Sequence, residues 1–202
     1  MILVIGTNDS GKSAFAEQLV ISINSSAGDC KSIAYIATMI PLDEDGEKRI
    51  KKHRNQRAGK DFVTFEEPYN VSSLMNVLVA EEFDTVLLEC VSNLVGNVMH
   101  SDAYKDKAVE EDVMRGDAHK GAYGVTDFES EITEKVITDI CLLDEKIKNL
   151  IVVTNYFDIV GEYDDETKKY IRINNLVTDR LKELSKQYAL KSEGGFELYD
   201  NN

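Results

Sequence analysis

Five stretches of the chain are apolar with little interruption: "ILVIG" (2–6), "SIAYIAT" (32–38), "FVTFEE" (62–67), "TVLLEC" (85–90) and "LIVVTNY" (150–156). Runs of this length, rich in β-branched residues, predict strands buried on both faces, as in a parallel sheet covered by helices. Between them, apolar residues recur at helical spacing and predict helices at 12–25, 43–57, 70–82, 91–99, 127–148 and 164–188. The alternation predicts an α/β fold, a mostly parallel sheet flanked by helices on both faces. The ending "KSEGGFELYD" predicts a small hairpin with Gly194 and Gly195 at its turn. Residues 100–126 are polar, glycine-containing and weakly periodic, and read as an exposed excursion. With no internal repeat and no linker rich in Pro or Gly, the 202 residues are expected to form one domain, 1–202.

Charge narrows the partners. With 23 basic against 37 acidic residues the chain carries a net charge of −14, which repels a nucleic-acid backbone, so no nucleic-acid partner is expected. No apolar stretch approaches the roughly 20 residues that span a bilayer. The N-terminal "MILVIGTNDSGKS" runs from Met1 straight into a strand and its loop, without the pattern of a secretory signal, so a cytoplasmic location is expected. Cys30, Cys90 and Cys141 are widely spaced and show no metal-ligand pattern, which predicts reduced, mostly buried thiols.

The chemistry begins directly behind the first strand. "GTNDSGKS" (6–13) fits G-x-x-x-x-G-K-[ST] and is followed by the amphipathic "KSAFAEQLVISI", the strand–loop–helix context of a phosphate-binding loop. Gly6 and Gly11 let the backbone amides of Thr7, Asn8, Asp9 and Ser10 converge on phosphate oxygens. Lys12 brings an ammonium to the terminal phosphates, and Ser13 offers a hydroxyl to Mg²⁺ at a helix N-terminus. Glu89, ending "FDTVLLE", supplies the carboxylate that such a site uses to hold the metal or its water. These residues predict a nucleoside triphosphate as substrate, with Ser13 and Glu89 as the oxygen donors to the metal.

Four further stretches carry a resemblance: "YIATM" (35–39), "RIKKHRNQR" (49–57), "FVTFEE" with Glu66, and "LLECVSNLVGN" (87–97). Together with the phosphate loop and "IVVTN" (151–155), they resemble the bifunctional adenosylcobinamide kinase/adenosylcobinamide-phosphate guanylyltransferase family of cobalamin biosynthesis. The likeness is good over about 1–100 and weak over 150–182. The pattern formed by Arg49, Ile50, His53, Arg54 and Arg57 is its most specific part.

The resemblance implies a P-loop NTPase fold of the RecA-like kind, a corrinoid substrate, GTP or ATP with Mg²⁺, and a homotrimer. It also implies that His53 attacks the α-phosphate of GTP to form a guanylyl-histidine. Lys52, Arg54 and Arg57 bring cations to that histidine. By the same resemblance Ala37, Thr38 and Met39 lie along the guanine nucleotide, Arg54, Asn55 and Gln56 follow the nucleophile, and Glu66 and Glu89 contact base, ribose or metal. His100 and His119, in the polar excursion, are given no role.

The chain departs from the family after "VTN", where Tyr156, Phe157, Asp158 and "IVGEYDDETKK" replace the usual Glu-Val-Gly and Gly-Ile-Val-Pro; Arg57 is followed by Ala58 instead of Pro. Thr178-Asp179 stand where the family has Asn-Gln, and "YALKSE" makes a poor last strand. Two other readings stay open beside the bifunctional one: a different small-molecule kinase, and a nucleotide-binding homologue without catalysis.

Overall fold

The computed structural model describes residues 1–26, 32–105, 125–158 and 161–201, with the side chain of Gln56 also outside the description. The order of elements is β1 (Ile2–Gly6), α1 (Lys12–Ser26), β2 (Ile33–Ala37), α2 (Glu44–Arg57), β3 (Phe62–Glu66), a 3₁₀ turn (Val71–Leu74) running into α3 (Met75–Ala80), β4 (Thr85–Glu89), α4 (Val91–Met99), α5 (Asp127–Lys146), β5 (Asn149–Asn155), α6 (Asp165–Leu184), β6 (Gln187–Ser192) and β7 (Gly195–Asp200). The strands form one seven-stranded sheet in the order β3-β2-β4-β5-β1-β6-β7. All neighbours are parallel except the terminal hairpin β6–β7, whose last paired residues are Ser192 and Gly195. Its turn therefore falls at Glu193 and Gly194.

Side chains of the inner strands alternate between two cores, because successive residues of a strand point to opposite faces. Leu3, Ile36, Leu88 and Val152 face a layer made by α3, α4, α5 and α6. Val4, Tyr35, Leu87 and Val153 face α1 through Ala16 and Val20, with Phe196 of β7 packed alongside. Helices thus cover both faces, as the periodicity predicts.

Three expectations are corrected. β3 is an edge strand, paired on one side only, and every one of its residues keeps some exposure, so "FVTFEE" is not buried on both faces. The helix expected at 164–188 stops at Leu184: Ser185 turns extended and the Lys186 amide donates to the Met1 carbonyl at 3.0 Å, which starts β6 beside β1. The helix expected at 70–82 opens as a 3₁₀ turn and is α-helical only over Met75–Ala80. The excursion at 100–126 lies mostly outside the described residues, which resume at Val125; Cys30 and His119 also lie outside them.

Local chemistry sets the helices that carry the site. α2 starts at Asp43, whose side chain accepts from the Gly46 amide at 2.6 Å; Glu44, Asp45 and Glu47 fill its first turn, and Arg54 and Arg57 its last. That distribution suits the helix dipole at both ends. Of its described residues, only Gly46 and Arg57 are buried, so α2 is a polar helix rather than part of a core. α5 starts at a capping box in which Thr126 and Glu129 satisfy each other's backbone amides.

Candidate functional site

A cleft of about 880 Å³ opens at the carboxyl ends of β1, β2, β4 and β5, between the phosphate loop and α2. Ligands of parallel sheets bind at this end, where loops leave the strands.

The loop is built as its sequence predicts. A Cβ on Gly6 would lie 2.5 Å from Ser10 Oγ and 3.3 Å from the Phe196 ring, so a larger residue would have to displace both. Gly11 takes φ +87° and Asp9 φ +55°, the left-handed turns that swing the loop round to the helix. Lys12 is buried, and its Nζ donates to the Thr7 carbonyl at 3.0 Å. Asn8, Asp9, Gly11, Lys12 and Ser13 line the cleft, whereas Gly6, Thr7 and Ser10 form the turn beneath it. Ser10 Oγ is buried and has no partner in the protein.

Glu89 closes the other side. Ser13 Oγ donates to its Oε1, and Tyr35 Oη donates to its Oε2 at 2.9 Å. Burial and the adjacent Glu89 carboxylate push the Tyr35 phenol well up from its ordinary value, so the ring keeps its proton and remains a donor. The guanidinium of Arg57 lies 3.5 Å from the centre of the same ring, a cation–π contact. Arg57 is 7% exposed, and its Nε and Nη1 have no partner. Among the described residues, no three or more His, Cys, Asp or Glu are grouped to hold a metal. The oxygens of Ser13 and Glu89 suit a hard cation that also bridges a ligand's phosphates.

The remaining predicted residues divide. Ala37, Met39, His53, Arg54, Asn55, Glu66 and Glu89 line the cleft. His53 is half-buried with Nδ1 enclosed and unpartnered, and Arg54 forms an ion pair with Glu66. Thr38 turns away: it is fully buried, its Oγ1 accepting from the Cys90 amide at 2.9 Å and donating to the Cys90 carbonyl at 2.8 Å. The backbone carbonyl of Thr38 is in turn held by Asn97 Nδ2 at 2.7 Å. Thr38 therefore fastens β2 to the start of α4 and offers no side chain to the cleft. The Gln56 side chain lies outside the described residues. His100 is exposed on the far end of α4, its Nδ1 3.5 Å from a Glu166 carboxylate oxygen.

Tyr35, Asn93 and Asn155 are among the lining residues missing from the predicted site. Each carries one visible signal: a phenol inside the aliphatic "IAYIA", a carboxamide four residues after the strand-end Glu89, and a carboxamide closing the apolar "LIVVTN". Cys90 also reaches the cleft wall; burial pushes its thiol up to about 11.

Comparison with known proteins adds family membership. The family model described as cobinamide kinase / cobinamide phosphate guanyltransferase (CobU) matches residues 2–196. The bifunctional adenosylcobalamin biosynthesis protein CobU of Escherichia coli K12 is 36% identical over 99 residues, 49% of this chain and 50% of that protein. Its counterpart in Salmonella typhimurium LT2 is 35% identical over the same length and shares. The chain thus spans about half the length of the curated relatives it matches. A KaiC-like protein of Pyrococcus horikoshii OT3 superimposes with a TM-score of 0.46 at 10% identity, over 98% of this chain and 75% of the other. With a family model matched along nearly its whole length, the chain belongs to the cobinamide kinase / cobinamide phosphate guanyltransferase family.

Proposed function

We propose that this chain phosphorylates the aminopropanol hydroxyl of adenosylcobinamide from GTP or ATP and then transfers GMP to the product through His53. One observation carries the reading: His53 on α2 and the phosphate loop between β1 and α1 border a single cleft. One bound nucleotide there can present its terminal phosphate to Lys12 and its α-phosphate to an imidazole. In the first step the loop amides and Lys12 hold the triphosphate and offset its charge, leaving the γ-phosphoryl open to the alcohol.

In the second step an imidazole nitrogen of His53 attacks the α-phosphorus, the bond to the β-phosphate oxygen breaks, and pyrophosphate leaves. The corrinoid phosphate then displaces the histidine and takes the GMP. Arg57, buried and unpartnered, is the cation best desolvated to face the leaving pyrophosphate, whereas Arg54 is occupied by Glu66. Ser13 and Glu89 would hold Mg²⁺, which would supply charge neutralisation on the phosphates. We further place the protein in the cytoplasm as a homotrimer, on the family's pattern; among the described residues no helix is long and apolar enough to cross a membrane.

The test is incubation with α-labelled GTP and Mg²⁺. A protein-bound label that is labile in acid, stable in alkali and absent from His53→Ala is expected. Wild-type protein that binds GTP without acquiring label would remove the guanylyl step and leave a small-molecule kinase; failure to phosphorylate adenosylcobinamide as well would leave nucleotide binding alone.

A further inference from the structure

Several buried polar atoms of the phosphate loop and the cleft wall have no partner in the protein, and they differ in sign. Ser10 Oγ and the Arg57 guanidinium carry hydrogens and can donate to phosphate oxygens. Asn155 Oδ1 cannot: it is an acceptor, and every phosphate oxygen is an acceptor too. An orphaned buried acceptor costs roughly 1–3 kcal/mol, so its retention calls for a ligand that brings an O–H or N–H to it.

Asn155 is held tightly in place. It ends β5, the strand between the phosphate-loop strand β1 and the Glu89 strand β4, and is paired in register with Gly6. Its amide donates to Ser92 Oγ at 3.0 Å, and its carbonyl accepts from Asn174 Nδ2 at 2.8 Å. The following amide, of Tyr156, donates to the Gly6 carbonyl at 3.0 Å. Only 8% of the residue is exposed, and it lines the cleft with Lys12, Ser13 and Glu89. The backbone is thus locked on both edges, while no protein group bonds the carboxamide oxygen.

We propose that Asn155 is the residue that orients the acceptor alcohol of the kinase step: its Oδ1 accepts the hydroxyl hydrogen and turns the oxygen toward the γ-phosphorus. This rests on the kinase half of the proposed function. The oxygen–phosphorus bond forms as the bond from the γ-phosphorus to the β,γ-bridging oxygen breaks, and the nucleoside diphosphate leaves with that electron pair. The hydroxyl proton departs late, to an oxygen of the transferred phosphoryl group, so the carboxamide holds the proton's direction without taking it. The assignment gives the same role to a neutral side chain that a glutamine plays when it orients an attacking water.

The experiment measures phosphorylation of adenosylcobinamide with γ-labelled nucleotide by wild type, Asn155→Leu and Asn155→Asp. Leu removes the acceptor while keeping the branching and heavy-atom count, and kcat is expected to fall about 100-fold, the cost of losing a nucleophile's alignment, while KM for the nucleotide stays within about twofold. Its melting temperature is expected not to fall, because the lost atom has no partner in the free protein. Asp keeps an acceptor oxygen and is expected to retain kcat within about tenfold of wild type. Should Leu not fold, Asn155→Ala carries the same expectation.

Unchanged kcat in the Leu or Ala variant overturns the inference and leaves the kinase reading standing. Asp as inactive as Leu overturns the acceptor role. A raised nucleotide KM with kcat intact assigns Asn155 to the nucleotide's own shell and overturns the inference too. Wild-type protein that phosphorylates no corrinoid ends the kinase reading, and this inference with it.

Discussion

Tyr35 donates its phenolic hydrogen to Glu89 Oε2 at 2.9 Å, while the other carboxylate oxygen accepts from Ser13. Arg57, at the end of the helix that carries His53, stacks on the same ring. A continuous line of contacts therefore runs from α2 through β2 and β4 to the first turn of α1. It ties the proposed nucleophile's helix to the residues that would hold the metal.

Tyr35→Phe keeps the ring under Arg57 and removes only the hydroxyl. The unfolding free energy in urea is expected to fall by about 1.5 kcal/mol, the usual net value of a hydrogen bond to a charged group. Tyr35→Ala, which also loses a buried ring, is expected to cost about 3–5 kcal/mol. Equal losses in the two variants would mean that the hydroxyl, not the ring, holds the site together.

Among the described residues, Lys12 Nζ hydrogen-bonds the Thr7 carbonyl of its own loop. Lys12→Ala is expected to weaken GTP and ATP binding at least about 100-fold by calorimetry, with the melting temperature shifted by no more than a few degrees. Wild-type affinity in the variant would remove the phosphate loop from nucleotide binding.

The buried hydroxyl of Thr38 bridges the amide and carbonyl of Cys90. Thr38→Val leaves the Cys90 amide without its buried acceptor, and a loss of about 2 kcal/mol in stability is expected. Nucleotide KM is expected to stay near the wild-type value, since the side chain does not reach the cleft. The opposite outcome, a stable variant with a raised KM, would place Thr38 on the nucleotide.

Stability is expected to fall on the alkaline side. Burial raises the Cys90 thiol from an ordinary value of 9.0 to about 11. Below pH 9 folded and unfolded chains both keep the proton; between about 9 and 11 only the folded chain keeps it, so unfolding releases a proton and is favoured as pH rises. The slope is about 1.4 kcal/mol per pH unit for one such group. Tyr35 and Tyr170, both raised by burial from an ordinary value of 10.0, add to the loss from about pH 10 upward. Cys90→Ala is expected to reduce the slope between about pH 9 and 10 in urea melts.

Strands with long aliphatic runs are legible in the sequence because burial on both faces leaves no room for polar residues; β1, β4 and β5 are such strands, and α4 appears at its predicted bounds. β6 is not legible. In "QYALKS" only Ala189 is fully buried, and pairing with β1 in parallel on one side and with β7 in antiparallel on the other, a tertiary event, makes it a strand. The phosphate loop reads directly, since its glycines and Lys12 act through local geometry. Asn155 does not, because its significance lies in a partner it lacks, and an unmet hydrogen bond has no sequence pattern.

The exposed helix α2 has a kinetic consequence. From Lys48 to Arg57 it carries six cations and no carboxylate, in a chain whose net charge is −14. A polyanionic nucleotide approaching at random is turned away by most of the surface and drawn along this one flank, which leads into the cleft. Capture, more than residence, is then the step that ionic strength governs. Added salt should slow the association rate while the dissociation rate holds nearly constant, and neutralising Lys48, Lys51 and Lys52 together should make the protein almost indifferent to salt.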